Sequence, residues 1–330
     1  MQGQNQPEPK PFVLVPIPKD EPQRSRAMTF EKFSGLTGQM ELEFKVVSEF
    51  LFVGSGGYEF DPNSRADQPD VWHTFYRRNG QICVPGTSLK GSIRAIVEAI
   101  SNSCVLQTRR GERVSSRSHQ RCEFKSVEQS QICPACRLFG TTGLRGRVNF
   151  SDAIPTGNAK LQVEKIHELW EPKKWTNARR FYELKNFQPS PNRRPERNYR
   201  FVEAVPKETC FVTTLNFENL SHAELGLLLY ALGLEPKDGR YTHAFTPKLG
   251  GAKPRCFGAV KFEPKRAKLL RYDDWLAFLN PKILEGDELI SFVQTCLQSC
   301  QNENLLHKDS WRTFVSGMKP KQEPCPRGNY

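Results

Sequence analysis

Pro85-Gly86-Thr87-Ser88-Leu89-Lys90-Gly91-Ser92-Ile93-Arg94 joins a strand to a helix, and its reading decides the fold. Ile82-Cys83-Val84 ends the strand, and Pro85-Gly86 is a turn signal. Thr87 or Ser88 then offers an N-cap hydroxyl. Leu89, Ile93, Ile96, Val97 and Ile100 recur at helical spacing and give one apolar face. The backbone N–H groups of a first helical turn point at whatever precedes the helix, which suits a phosphate. Lys90 and Arg94, four residues apart, can flank the same spot. The other reading is an ordinary capped helix with two solvated cations.

The charge of the chain favours the phosphate. The 330 residues suffice for one elaborate domain or two modest ones, and the formal net charge is +12. Residues 105–147 hold nine Lys/Arg against three acids, and residues 170–200 again hold nine against three. Each segment is +6, so the remainder is neutral. Two compact basic segments on a balanced body point to a polyanion, of which nucleic acid is the commonest. No apolar run reaches the length of a membrane span, and Met1 to Lys10 lacks a signal-peptide core. These features imply a soluble, cytoplasmic chain with no membrane partner. Ten cysteines are too few for a disulfide scaffold, and Cys83, Cys210 and Cys256 read as small buried residues.

Outward from the opening stretch, Leu42, Phe44 and Val46 alternate with Glu41, Glu43 and Lys45, which predicts a strand over 42–53. Gly54-Ser55-Gly56-Gly57 reads as a flexible turn, and 58–70 as a loop with four acids. Val71 to Tyr76 and Gln81 to Val84 flank the hairpin signal Asn79-Gly80. Short strands are expected over 147–151, 201–205, 209–217 and 259–262. Ser221-His222-Ala223-Glu224 is a capping box that opens a helix with Leu225, Leu228, Leu229 and Leu232 inward, and Gly233 ends it. Further helices are expected near 273–279 and 287–300. This order predicts an α+β chain with a ferredoxin-like (RRM-like) core and long insertions. Residues 1–30 read as a mobile tail, 31–265 as the core with insertions at 102–146 and 158–205, and 266–330 as a helical extension.

Three constellations carry chemistry. His119-x2-Cys122 followed by Cys133-Pro134-Ala135-Cys136 supplies four ligands for a structural zinc, with Cys104 the alternative to His119. The segment has no hydrophobic core of its own, so a metal would supply folding energy. Gly250-Gly251-Ala252-Lys253-Pro254-Arg255-Cys256-Phe257-Gly258 combines backbone access with two cations, Lys253 and Arg255. Between 170 and 200, Trp170, Trp175, Phe181, Tyr182, Phe187 and Tyr199 interleave with arginines that include Arg179 and Arg180. Such a mixture can stack on bases and hold phosphates, or pack its aromatics on the body.

Val84 to Gly91, Cys136-Arg137-Leu138-Phe139-Gly140, Gly146 to Ala153, Glu203-Ala204-Val205-Pro206 and the 250–258 loop, in this order, resemble the CRISPR-associated RAMP superfamily. Within it they look like the backbone (group 7) subunits of type III RNA-guided effector complexes. The resemblance covers about residues 40–265. It implies an RRM-like palm that grips guide RNA, a zinc-supported region and a thumb hairpin drawn from 158–205. By position, Ser88, Lys90, Arg94, Lys253 and Arg255 would contact guide phosphates. A loop aspartate would support cleavage of target RNA with a divalent metal, Mg2+ or Mn2+. Asp70 fits that place best, ahead of Asp67 and Asp61, although no Arg-Asp pair precedes the hairpin turn. His73 is a spare general-base candidate. Implied partners are guide RNA, target RNA and other effector subunits. The alternatives are a non-catalytic RNA-binding subunit of the same complex, or a guide-processing endoribonuclease. The last uses a histidine near its N-terminus, and the first histidine here is His73.

Overall fold

In a computed structural model of the chain, Met40, Leu42, Phe44 and Val46 are wholly buried, as the alternation requires. The structure describes residues 11–28, 30–31, 34–105, 117–169, 177–270 and 279–326. In chain order the elements used below are β1 (Phe12–Pro16), β2 (Leu36–Val46), β3 (Gly54–Phe60), β4 (Val71–Phe75) and α1 (Gly86–Ile100). There follow α2 (Pro134–Phe139), β5 (Val148–Phe150), β6 (Gln162–His167), β7 (Ala178–Tyr182) and β8 (Tyr199–Pro206). The last are β9 (Cys210–Leu220), α3 (His222–Ala231), β10 (Val260–Leu270), α4 (Gly286–Asn302) and α5 (Lys308–Met318).

The strand that alternates most cleanly in sequence is the middle of the main sheet. β2 pairs antiparallel with β9 on one side and β10 on the other, and β5 extends the sheet beyond β9. With α1 and α3, these four strands give the order β-α-β-β-α-β of a ferredoxin-like core, and the chain is α+β. The register puts Phe211, Phe44 and Phe262 side by side. Their ring centroids are 5.2 Å apart in both pairs, and each such aromatic pair adds about 0.5–1.5 kcal/mol beyond its buried area.

Leu89, Ile93, Ile96, Val97 and Ile100 of α1 are buried in the core, as their spacing predicts. α3 is buried on all sides, because α4 packs on the face away from the sheet. A Cβ at Gly226 would stand 2.0 Å from the Cys296 carbonyl oxygen, so the two helices approach backbone to backbone. α4 matches the helix expected near 287–300, whereas most of that expected near 273–279 lies outside the described residues. Part of the N-terminal stretch read as a tail is a strand. β1 pairs with β7 and packs on α5, where Val13 closes against Gly317.

A second sheet runs β6-β8-β4-β3. Gly54 to Gly57, expected to be a turn, belongs to β3. Pairing with β4 and the 2.6 Å hydrogen bond between the Ser55 and Thr74 hydroxyls hold this glycine-rich stretch extended. Among the described residues no helix is long and apolar enough to cross a membrane.

One buried ion cluster ties the core motifs together. Arg147, with 1 % of its side chain exposed, pairs with Glu224 and donates to the Asn219 carbonyl at 2.7 Å and to the Arg137 carbonyl at 2.9 Å. Glu224 also accepts from Arg137 at 2.8 Å and closes the capping box with Ser221. Removing this one carboxylate strands two cations and takes away half of the α3 capping box, the bond from the Ser221 amide. Glu224→Ala is expected to cost about 3–5 kcal/mol in denaturant unfolding, and Glu224→Gln less. A loss under about 1 kcal/mol would show that water enters the cluster.

Candidate metal centre and nucleic-acid interface

The chain leaving α1 passes through Ser101 and Ser103 and delivers Cys104 to the start of α2. There the sulfurs of Cys104, Cys122, Cys133 and Cys136 lie within 4.8 Å of one another, all buried. The Cys104 and Cys136 sulfurs are 3.5 Å apart. Four sulfurs at zinc–sulfur bond length on a tetrahedron stand about 3.8 Å apart, so this group needs little adjustment to hold zinc. The Cys133 amide donates to the Cys122 sulfur at 3.4 Å, and the Arg94 guanidinium to the Cys136 sulfur at 3.6 Å. A tetrathiolate zinc carries a net charge of −2, and two arginines are drawn to it. Arg94 is also paired with Glu98 at 2.8 Å. Arg179, reaching in from β7, donates to the Ser103 carbonyl at 2.6 Å, and its buried Nε and Nη1 find no hydrogen-bond partner among the described residues. Burial pushes the Arg179 pKa down, against the pull of Glu98 and Cys104. These donors face a cluster that becomes anionic when metal is bound.

Three of the residues singled out in the sequence stand as follows. Cys104 completes the group in place of His119. The His119 Nε2 lies 2.7 Å from Asn102 Oδ1, its Nδ1 lies 3.2 Å from the Ser118 hydroxyl, and its carbonyl accepts from the Val105 amide. His119 therefore braces the residues around Cys104. Burial lowers its pKa and favours the neutral ring. Arg94 and Arg179, expected at RNA phosphates, turn inward to the cysteines.

The first turn of α1 is also occupied from within. The Gly86 amide donates to Asp152 Oδ1 at 2.9 Å, and neither Thr87 nor Ser88 caps the helix. Asp152 also pairs with Arg78, and the Gly86 amide followed by Arg78 holds its carboxyl below the usual range. A Cβ at Gly86 would meet the Phe150 carbonyl oxygen at 2.0 Å, which explains the glycine. Ser88 remains half-buried on this helix. Lys90 reaches the Asn149 side-chain oxygen at 2.9 Å. Burial, with Arg94 and Arg145 nearby, lowers the Lys90 pKa, the condition of a cation that gains by meeting an anion.

In the glycine loop the two cations separate. Arg255 donates to the Glu168 carbonyl at 2.8 Å, the His167 carbonyl at 3.3 Å and the Pro326 carbonyl at 3.4 Å, so it clamps the loop to β6 and the C-terminal segment. Lys253 is lowered to about 8 by burial. Lys248, which the sequence reading passed over, is lowered to about 7 by burial and by Lys253. Cys256, expected as a lone buried thiol, forms a disulfide with Cys325. Gly250 adopts φ +70° against the Phe52 carbonyl oxygen, which a Cβ would approach to 2.1 Å.

The basic aromatic stretch mostly packs on the body. Phe181 meets Phe314 at 4.7 Å, Phe187 meets Phe257 at 5.2 Å, and the Arg180 guanidinium lies 4.8 Å from the centre of the Phe12 ring. Trp170 and Trp175 lie outside the described residues. Tyr199 differs, because it lines an open cavity with Tyr58, Asp70, Trp72, His73 and Arg200.

The acidic loop joins β3 to β4. Asp61, Asp67 and Asp70 are all exposed. The Asp61 amide donates to the Asp70 carbonyl at 2.9 Å, so these two stand at the base of the loop. Asp61 accepts from the Asn63 amide and Asp70 from the Val71 amide, whereas Asp67 lies 3.6 Å from Arg65. Among the described residues the carboxylates form no three-donor metal group. One or two carboxylates completed by substrate phosphates is the arrangement Mg2+ accepts. His73, on β4 beside this loop, has its pKa lowered by burial and then by Arg200, so it is a neutral ring near pH 7.

The metal assignment makes a direct prediction. Cys104→Ser is expected to purify with well under one equivalent of zinc, and His119→Ala with close to one, by elemental analysis. The reverse pattern would return His119 to the ligand set.

A family model, the RAMP superfamily, matches residues 43–261, about two thirds of the chain. No curated protein matches it. The match spans α1, β5, β9 and α3 of the ferredoxin-like core, the four-cysteine group and the acidic loop, with the last four residues of β2 and the first two of β10. The chain belongs to the RAMP superfamily of CRISPR-associated RNA-binding proteins.

Proposed function

We propose that this chain is a backbone subunit of a type III RNA-guided effector complex, which holds guide RNA on its palm and supports cleavage of bound target RNA. The observation that carries the catalytic part is the acidic loop. A chain of net charge +12 presents Asp61 and Asp70 side by side on an exposed hairpin, next to a cavity walled by aromatics and Arg200. Bare carboxylates repel RNA, so such a loop next to RNA gains most from a divalent cation. Guide contacts would come from Ser88, Lys90 and Lys253, with the neighbouring subunits of the complex completing the path.

The reaction would be attack of a ribose 2′-hydroxyl on the adjacent phosphorus, which forms a 2′,3′-cyclic phosphate as the bond to the 5′-oxygen breaks, that oxygen leaving as a hydroxyl protonated from water. Asp70 would hold Mg2+ or Mn2+ together with a phosphate oxygen. That ion supplies charge stabilisation at the phosphate. His73 would accept the 2′-hydroxyl proton, and Arg200 would add positive potential.

In the assembled complex, Asp70→Ala is expected to slow target cleavage at least about 100-fold while RNA binding stays within about twofold, and chelation of divalent metal should stop the same cut. Asp67→Ala should have a smaller effect. If single replacements of Asp61, Asp67 and Asp70 all leave cleavage intact, the chain is a non-catalytic scaffold for guide and target.

A further inference from the structure

Past α5 the chain runs back over the body, and residues 319–326 lie along 183–187, the stretch that follows β7. The Lys321 amide donates to the Leu184 carbonyl at 2.9 Å, the Asn186 amide to the Glu323 carbonyl at 3.0 Å, and the Cys325 amide to the Asn186 carbonyl at 2.7 Å. Cys325 then forms the disulfide with Cys256 of the glycine loop, 69 positions away. The Pro326 carbonyl accepts from Arg255 Nη1 at 3.4 Å, and the Cys325 sulfur lies 3.8 Å from the Pro254 carbonyl. The segment thus covers Pro254, Arg255 and Cys256, the three residues after Lys253.

The contacts let this cover come away. Its charged side chains, Lys321 and Glu323, stay 36 % and 60 % exposed, and they pair with the buried Glu183 and Lys185. Glu183 and Lys185 are also 3.3 Å from each other, so departure of the segment strands neither as an unpaired buried charge. Arg255 likewise keeps the Glu168 and His167 carbonyls. Rim ion pairs and a few backbone hydrogen bonds contribute little against the entropy of ordering a chain end, so the disulfide is what holds the segment down. The other eight cysteines are free thiols, which makes this the one disulfide among the described residues. The loop beneath is strained, since Ala252 and Cys256, neither of them glycine, adopt φ of +52° and +64°.

We propose that residues 319–326 are a strap worked by thiol–disulfide exchange, closed over the glycine loop while Cys256 and Cys325 are joined and released when they are reduced, and that release opens Arg255 and Lys253 to an RNA phosphate. The second half rests on the RNA-binding reading above. The Pro326 carbonyl occupies a guanidinium nitrogen whose neighbours two other carbonyls hold in place, and a phosphate oxygen is the stronger acceptor for such a donor. In the exchange, a thiolate of a dithiol reductant attacks the Cys325 sulfur, since Cys325 is 5 % exposed against 1 % for Cys256. The Cys256–Cys325 bond breaks, and Cys256 leaves as a thiolate and takes a proton. The second sulfur of the dithiol then attacks the mixed disulfide. Cys325 leaves in the same way, and the dithiol ends as its own disulfide.

The full chain, prepared without reductant and then treated with a dithiol, tests both halves. Alkylation followed by peptide mass spectrometry should find Cys256 and Cys325 blocked before treatment and both modified after it. Reduction should speed amide exchange over 319–326 at least about tenfold and open the bond after Lys321 to trypsin. Affinity for a fluorescent ten-nucleotide RNA should tighten at least about fivefold. Cys325→Ser without reductant should reproduce the faster exchange and the tighter binding with its zinc content unchanged, which separates the strap from the four-cysteine group. Cys256 and Cys325 found as free thiols before treatment, or exchange over 319–326 unmoved by reduction and by Cys325→Ser, overturns the strap. Faster exchange with RNA affinity unchanged or weaker overturns the opening of the loop and leaves the RNA-binding reading standing. RNA bound by neither form overturns that reading and the opening together, while the strap stands or falls on exchange alone.

Discussion

Four buried sulfurs organise the rest of the molecule. Cys104 ends the run out of α1, Cys122 belongs to the long basic insertion, and Cys133 and Cys136 open α2. Four thiols packed together have no favourable way to share their protons, and a bound zinc removes that conflict by taking all four as thiolates. The effect reaches outward through the chain. α2 runs directly into the segment that carries Arg147, Asn149 and Asp152. Arg147 locks onto the cap of α3, and Asp152 caps α1. The two helices of the ferredoxin-like core are therefore both fastened by the stretch that follows the metal site.

The same centre decides which cations are left for RNA. Arg94 and Arg179 are attracted to the thiolates, and Arg255 is committed to three carbonyl groups. A basic sequence segment is thus not a basic surface patch. What remains near the helix N-terminus and the glycine loop is lysine: Lys90, Lys248 and Lys253, each with its pKa lowered mainly by burial. A lysine in that condition regains charge stabilisation when a phosphate arrives. These lysines lie on α1 and on the glycine loop, apart from the acidic loop between strands β3 and β4 and the aromatic cavity beside it.

The parts of this arrangement that could be read from sequence are those governed by short-range periodicity. The alternation at Leu42, Phe44 and Val46, the helical spacing from Leu89 to Ile100 and the Ser221–Glu224 capping box each specify a local structure, and each is met. What could not be read depends on residues far apart in the chain. The cap of α1 comes from Asp152, 66 positions beyond Gly86. Cys325 finds Cys256 across 69 residues, and Cys104 reaches Cys136 across 32. Phe181 and Phe187 have the composition of a stacking platform, but their partners, Phe314 and Phe257, lie outside the segment. Tyr58 fell in a stretch read as a loop because the glycine run before it suggested a turn, and Trp72 fell in the 71–76 strand, which carries no signal for a cavity. One signal was present, since Tyr58 and Phe60 alternate with Gly57 and Glu59 as a strand would.

Hydrogen exchange of the full chain before and after zinc removal tests the dependence on the metal most directly. The account predicts that stripping zinc deprotects the amides of α2 and the C-terminal half of α1 by at least about tenfold, with smaller losses along Val148–Phe150 and at the start of α3. The β2–β9–β10 pairing should keep most of its protection, because long antiparallel ladders and the phenylalanine row hold it. Unchanged exchange in α1 and α2 after complete removal of zinc would contradict the account.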